Sequence, residues 1–269
     1  MKILLNMDFA FAGGVEPSGR ASFRNCKNCF KKFVAFTLAE TLIVMGIIGI
    51  VSALTLPNLN SSTGEKEKVA KVKKIYQNLD DAIGRAQAVY GPLNEWFVND
   101  SSATAQATRF GDRLTEFMKV SKNCNVTTNQ KCFSSSNVTY ISGSSSLSDI
   151  DGSNTSYKFV LADGTSVALD HRDVNQYYVY FNIDGIKGKN KIGADVFSVI
   201  VNANNPENPI STSEYQLGDI LTTGNGFGAT FWVLNYDNMD YLKAGTNGKC
   251  NNSNVTLNSF ASPPVTSCK

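Results

Sequence analysis

The 269-residue chain is short of the residues on which most enzyme chemistry depends. It has one histidine, His171, so a multi-histidine metal site is excluded and a histidine-based hydrolase is not expected. Asp170-His171-Arg172-Asp173 has a catalytic look, but adjacent residues at a strand end point different ways, and the quartet is expected as a solvated turn. There is no P-loop, no G-x-S-x-G and no H-E-x-x-H, so the reading is not an enzyme. Charged residues make up only 18%, below the usual quarter, while Asn, Ser, Thr and Gly are abundant, as on an extracellular surface. Lys+Arg 25 against Asp+Glu 23 leaves +2, which gives no reason for an obligate nucleic-acid partner.

What the chain does have is one long apolar run. Residues 36–56 read FTLAETLIVMGIIGIVSALTL, with Glu40 as the only charge and Pro57 directly after. A helix of that length spans roughly 30 Å, the hydrocarbon thickness of a bilayer. The preceding RNCKNCFKK carries Arg24, Lys27, Lys31 and Lys32, which keep that side cytoplasmic and place the rest of the chain outside. A cleaved secretory signal is the competing reading, but no A-x-A site follows the run. A carboxylate inside a span costs at least about 2.5–3.5 kcal/mol at the helix centre, so Glu40 either lies near the interface or has a partner.

Lys31-Lys32, Phe33-Val34-Ala35, then Phe36-Thr37-Leu38-Ala39-Glu40 and an apolar helix resemble the N-terminal signal of type IV pilins and type II secretion pseudopilins. The match covers about 30 residues. It implies cleavage between Ala35 and Phe36 by a prepilin peptidase, methylation of the new amine, and pairing of Glu40 with the N-terminal amine of a neighbouring subunit. Gly49 and Pro57 fall where many members carry a helix-weakening Gly and Pro. Ala35 departs from the Gly usual before the cut. The resemblance implies a bacterial inner-membrane protein with an extracytoplasmic head, which then enters a periplasmic or surface filament. Its partners would be pilin-like subunits in a homo- or hetero-polymer, the peptidase and the inner membrane.

Residues 1–35 would be a cytoplasmic leader, long for its kind, with Met7 as an alternative start. Six of its residues are Lys or Arg, against Asp8 and Glu16, so it carries +4 and the remainder −2. Cys26 and Cys29 form a lone CxxC, half a zinc site, that would leave with it.

Residues 57–91 are expected as the exported half of the N-terminal helix. Apolar residues recur at Val69, Val72, Tyr76, Leu79, Ile83, Ala86 and Val89 or Tyr90, in steps of three and four, and Gly91-Pro92 ends the run. The head, 92–269, opens with an amphipathic stretch from Ala103 to Val120 with Phe110, Leu114, Phe117 and Met118 on one face. A Ser/Asn/Thr/Gly-rich segment at 134–156 reads as a variable surface loop. Strands follow at Tyr157–Leu161, Ser166–Leu169, Tyr177–Ile183 and Val196–Val201, the first two joined by Asp163-Gly164. Regular pieces at Ala229–Leu234 and NMDYLKAG complete the head. The fold class is therefore α+β, a long N-terminal helix packed on an antiparallel sheet.

On the exported side lie Cys124, Cys132, Cys250 and Cys268, which allow three pairings. Nearest neighbours, Cys124 with Cys132 and Cys250 with Cys268, are the expected pairs, and free thiols are the alternative. The second pair resembles the C-terminal disulfide-bounded loop of many pilins. The segment Asp184 to Asp195 lies between two strands and carries three glycines, as in an ordered hairpin loop. Asp184, Asn190 and Asp195 would also suit calcium, the one cofactor considered, and major pseudopilins carry a calcium loop near their last strands. Lys187, Lys189 and Lys191 weigh against a cation there. N-x-S/T triplets such as Asn125-Val126-Thr127 would mean glycosylation only in a suitable secretory pathway.

The leading functional reading is a structural filament subunit without required cofactors. The alternatives are a minor subunit or tip adhesin, suggested by a head of nearly 180 residues, and a non-polymerising membrane-anchored binding domain.

Overall fold

The computed structural model describes residues 37–269 apart from 98–101, 135, 136, 144–146, 148, 174, 189, 213–219, 222, 223, 246 and 260; for 54–63 it describes the backbone alone. Two compact units divide between Ala53 and Leu54. Helix α1, Leu38–Tyr90, has residues in both.

In the second unit, residues 64–90 of α1 bury a stripe on the sheet: Val69, Val72, Ile75, Leu79, Ala82, Ile83 and Ala86 are each 7% exposed or less. Each large aliphatic of that stripe contributes about 1.5–3 kcal/mol by leaving water. The open choice at the end of the stripe falls to Tyr90, which packs on the core, whereas Val89 is 63% exposed. Gly91, at φ +82°, takes the left-handed position that closes the helix, and its N–H donates to Gln87 O at 3.0 Å. The chain then turns through a 3-10 segment, Leu93–Glu95, and buries Trp96, whose indole N–H donates to Gly91 O at 2.9 Å.

Helix α2 is Ala103–Thr115, with Ser102 as its N-cap: the Ser102 hydroxyl accepts the Ala105 N–H at 3.1 Å. It stops before the expected Val120, because Val120 already pairs with Leu161 as the first residue of β1. Phe110 and Leu114 are fully buried, and Phe117 and Met118 pack on the core from the turn that follows.

Among the described residues six strands form one antiparallel sheet in sequential order: β1 Val120–Asn125, β2 Ser156–Leu161, β3 Ser166–Asp173, β4 Gln176–Asn182, β5 Val196–Asn202 and β6 Ile210–Ser211. This is the α+β class expected, with β1 and β6 added. The inner face carries Tyr157, Phe159, Val167, Leu169, Tyr177, Val179, Phe181, Phe197 and Val199, all buried against the helices. Along β4 the alternation places Tyr177, Val179 and Phe181 on that face as expected, and Ile183, one residue past the strand, is buried with them.

The outer face is where the polar composition misled. Phe133, Val138, Leu147 and Ile150 from the 134–156 region and its approach form a second core with Ala168, Tyr180, Ile192 and Val196. A tether holds this segment down. The buried Asp151 carboxylate accepts N–H bonds from Cys132 at 2.8 Å, Phe133 at 3.1 Å and Ser134 at 2.8 Å. So the segment packs across the sheet instead of standing free.

Residues Ala229–Leu234 lie in a helix, α3, Ala229–Tyr236, and NMDYLKAG contains a 3-10 turn, Asp240–Lys243. Where β6 does not reach along β5, α3 does: the Thr230 hydroxyl accepts the Ser198 N–H at 3.1 Å and donates to Ser198 O at 2.7 Å.

Candidate functional site

The first unit presents its apolar side chains outward. Leu38, Leu42, Ile43, Val44, Met45, Ile47, Ile48, Ile50 and Val51 are all more than half exposed and lie on every side of the helix. Gly46 and Gly49 have open space where a Cβ would stand. At the start, Thr37 and Glu40 cap each other reciprocally. The Thr37 N–H and hydroxyl both donate to Glu40 Oε2 at 2.9 Å, and the Glu40 N–H donates to the Thr37 hydroxyl at 3.3 Å. The expected cleavage residues Ala35 and Phe36, and Met7, Cys26 and Cys29, lie outside the described residues. Pro57 falls within the bounds of α1, its side chain outside the described set. Among the described residues no helix is long and apolar enough to cross a membrane; the expected span begins at Phe36 and runs into 54–56, beyond those residues at one end and beyond the described side chains at the other.

The loop between β4 and β5 brings two of its three expected calcium ligands together, around an ammonium. Lys68 of α1 reaches Asp195 Oδ1 at 2.7 Å, Asp184 Oδ2 at 3.3 Å and Ala194 O at 3.3 Å. Burial works against the charged amine, but the two carboxylates outweigh it and raise its pKa. Asn190 is elsewhere: fully buried, it accepts the Asn182 amide at 2.6 Å and donates to Gly188 O at 3.3 Å. Among the described residues no group of three or more His, Cys, Asp or Glu side chains is placed to hold a metal.

Cys124 pairs with Cys132 and Cys250 with Cys268, with Cα separations of 6.4 and 5.6 Å. The second bridge sits beside a buried carboxylate. Asp240 accepts the Cys268 N–H at 2.7 Å, the Ser267 hydroxyl at 2.9 Å and the Lys243 ammonium at 2.6 Å. Lys243 in turn reaches Glu65 of α1 at 2.5 Å, and Glu65 accepts the Met239 N–H at 3.1 Å.

Asp170-His171-Arg172-Asp173 is not a solvated turn but the end of β3, held there because Asp170 pairs with Tyr178 and His171 with Tyr177 on β4. The alternation does separate neighbours. His171 faces α2, where its Nε2 is 3.0 Å from Gln106 Oε1, while Asp170 on the other face accepts the Ser156 hydroxyl at 2.6 Å. Lys158, not among the residues the sequence singles out, is fully buried, and its ammonium donates to Ser153 O at 2.6 Å and Ile150 O at 3.4 Å. A lysine in the middle of the otherwise apolar Tyr157–Leu161 was the available signal. Burial lowers its pKa, only partly offset by Asp151, Asp149 and Asp170.

Comparison with protein-family models, with curated proteins and with solved structures finds no match for this chain.

Proposed function

We propose that the chain is a structural subunit of a type IV pilus-like or type II secretion pseudopilus-like filament, processed before Phe36 and assembled through its N-terminal helix. The observation that carries the reading is the helix from Leu38 to Val51, with Leu38 79% and Met45 71% exposed and no charge after Glu40. A patch of this kind is larger than a soluble surface tolerates. Lipid covers it before assembly, and the same segment of neighbouring subunits covers it afterwards. The basic residues before it set the orientation, and the head is extracytoplasmic, the side on which disulfides persist.

The chemistry at the start of the helix follows from Glu40. Among the described residues its carboxylate accepts from the Thr37 N–H and hydroxyl. Hydrolysis of the Ala35–Phe36 peptide bond creates an ammonium on Phe36. In a low-dielectric bundle a carboxylate and an ammonium attract far more strongly than in water, and an unpaired charge is heavily penalised. Register between subunits is then set by the misplacement penalty. In this mechanism the protein needs no cofactor and catalyses nothing.

The decisive experiment is mass spectrometry and N-terminal sequencing of the mature protein from membranes and sheared fibres. The expected terminus is N-methylated Phe36; an intact leader overturns the proposal. Glu40→Ala is expected to be cleaved as wild type but absent from fibres, and normal assembly of that variant rejects the role given to Glu40. The size of the head favours a minor or tip position as the second reading, which labelled copy number along single fibres distinguishes.

A further inference from the structure

The outer face of the sheet opens beside β3 into a cavity of about 200 Å³ that the filament reading does not use. Three strands build its floor: Ser156 from β2, Asp170 and Arg172 from β3, and Tyr180 from β4. Leu147 and Ile150 of the tethered segment form an apolar wall.

The polar groups of the floor are fixed before any ligand arrives. Arg172 Nε donates to Asp170 Oδ2 at 3.2 Å, its Nη2 donates to the Tyr180 hydroxyl at 3.1 Å, and the guanidinium lies 5.1 Å above the Tyr178 ring. Asp170 is steadied from the other side by the Ser156 hydroxyl at 2.6 Å. A guanidinium has five N–H groups and a carboxylate about four acceptor positions, so both keep hydrogen-bonding capacity beyond these contacts. The Tyr180 hydroxyl, used as an acceptor by Arg172, retains its own proton. Burial pushes its pKa up to about 12, against the opposing pull of Arg172, so it remains a donor at neutral pH.

The surroundings select the ligand class. An apolar molecule would strand the charged floor. An anion would meet Asp170 at the floor and Asp149 at the lining, and Arg172 is already neutralised by Asp170. A cation would meet Arg172 and, beneath the segment, Lys158. What remains is a neutral molecule rich in hydroxyls, with a C–H face for Leu147 and Ile150. The volume lies below the roughly 300–1,000 Å³ of pockets for drug-sized ligands, so it admits one ring rather than a chain.

We propose that this cavity binds a single neutral saccharide unit, Asp170 accepting from adjacent ring hydroxyls while Arg172 and Tyr180 donate to them. The site belongs to the head and does not depend on how the chain is anchored.

The test uses the full chain, purified in a detergent without a sugar headgroup. Saturation-transfer NMR is run against methyl glycosides of the common hexoses, deoxyhexoses and N-acetylhexosamines, with sodium acetate and inorganic phosphate as anion probes. At least one glycoside is expected to bind. Arg172→Met and Asp170→Asn should each weaken it at least about tenfold, the scale of losing a hydrogen bond to a charged group. Thr155→Trp, which fills the cavity from a loop residue outside the Asp170–Arg172 contacts, should abolish binding with circular dichroism unchanged, and Lys74→Ala on α1 should have no effect. No glycoside binding, binding of the anions alone, or glycoside binding that survives Thr155→Trp overturns the proposal.

Discussion

Asp240 has 3% of its side chain exposed and three donors on its carboxylate. Burial pushes its pKa up, but Lys243, the Cys268 amide and Ser267 together outweigh that and hold it below the ordinary 3.8. The sign follows: a depressed carboxylate adds stability that is present above its unfolded pKa and lost as pH falls through the folded one. Asp240→Asn is therefore expected to lower stability at pH 7 by about 1.5–3 kcal/mol, the range for hydrogen bonds to charged groups. Thermal melts from pH 7 to pH 2 should show the gap to wild type narrowing below pH 3.8. At Gly111 the constraint is steric. A Cβ there would lie 2.1 Å from Tyr157 Cγ, so α2 sits on β2 through a position only glycine fills. Gly111→Ala should cost about 3 kcal/mol or prevent folding, as overpacking does; urea titration measures it. Neither role was legible beforehand. A lone Asp in NMDYLKAG and a Gly in the middle of a helical pattern carry no mark of what the tertiary fold will place beside them.

At the scale of elements, the sequence is legible where periodicity carries it. The stripe of α1 and the alternation along β2 and β4 follow from spacing, because a buried face repeats apolar residues at the period of its element, while Val196–Val201 in β5 reads as an apolar run and is buried along nearly all its length. The segment at 134–156 has no period to read. Val138, Leu147 and Ile150 are nonetheless buried in the second core and Ile141 in the first, with the backbone tethered by Asp151, an interaction between residues nearly twenty apart. Likewise β1 is a poor strand by composition, with Ser121, Lys122 and Asn123 exposed, and its existence rests on pairing with β2. In the β4–β5 loop, the acidic residues were visible but not the lysine 116 residues earlier that occupies Asp184. Removing that lysine gives a direct test. Lys68→Met leaves two carboxylates facing each other without their cation, and its melting temperature should rise on adding millimolar calcium. Wild type should respond less to calcium or chelator; an equal response in both would show that Lys68 does not fill the place a cation would take.

At the scale of the whole molecule, the two units have opposite needs: one buries its apolar residues in a core, the other displays them. The disulfides belong to the first kind. Reducing them should remove about 2.5 kcal/mol for the Cys124–Cys132 loop and 3 kcal/mol for the Cys250–Cys268 loop, by the entropy of the closed chain. Replacing Cys250 and Cys268 by Ser should be non-additive with Asp240→Asn, since both loosen the same C-terminal turn; additive melting shifts would separate them. The cysteine pairs were legible as nearest neighbours, but the Asp240 contact that joins the second to α1 was not.

The Thr230 hydroxyl on Ser198 has a consequence beyond the fold of one chain. A filament would hold neighbouring heads at effective concentrations near the millimolar range, where any open strand becomes a template for its copies. On one side of the sheet, α3 and β6 occupy that template. On the other, β1 is bulged twice and carries exposed Lys122, features that discourage a further strand. In the proposed filament, heads built this way would meet without adding strands to one another, which would leave the contact between subunits to the N-terminal helix.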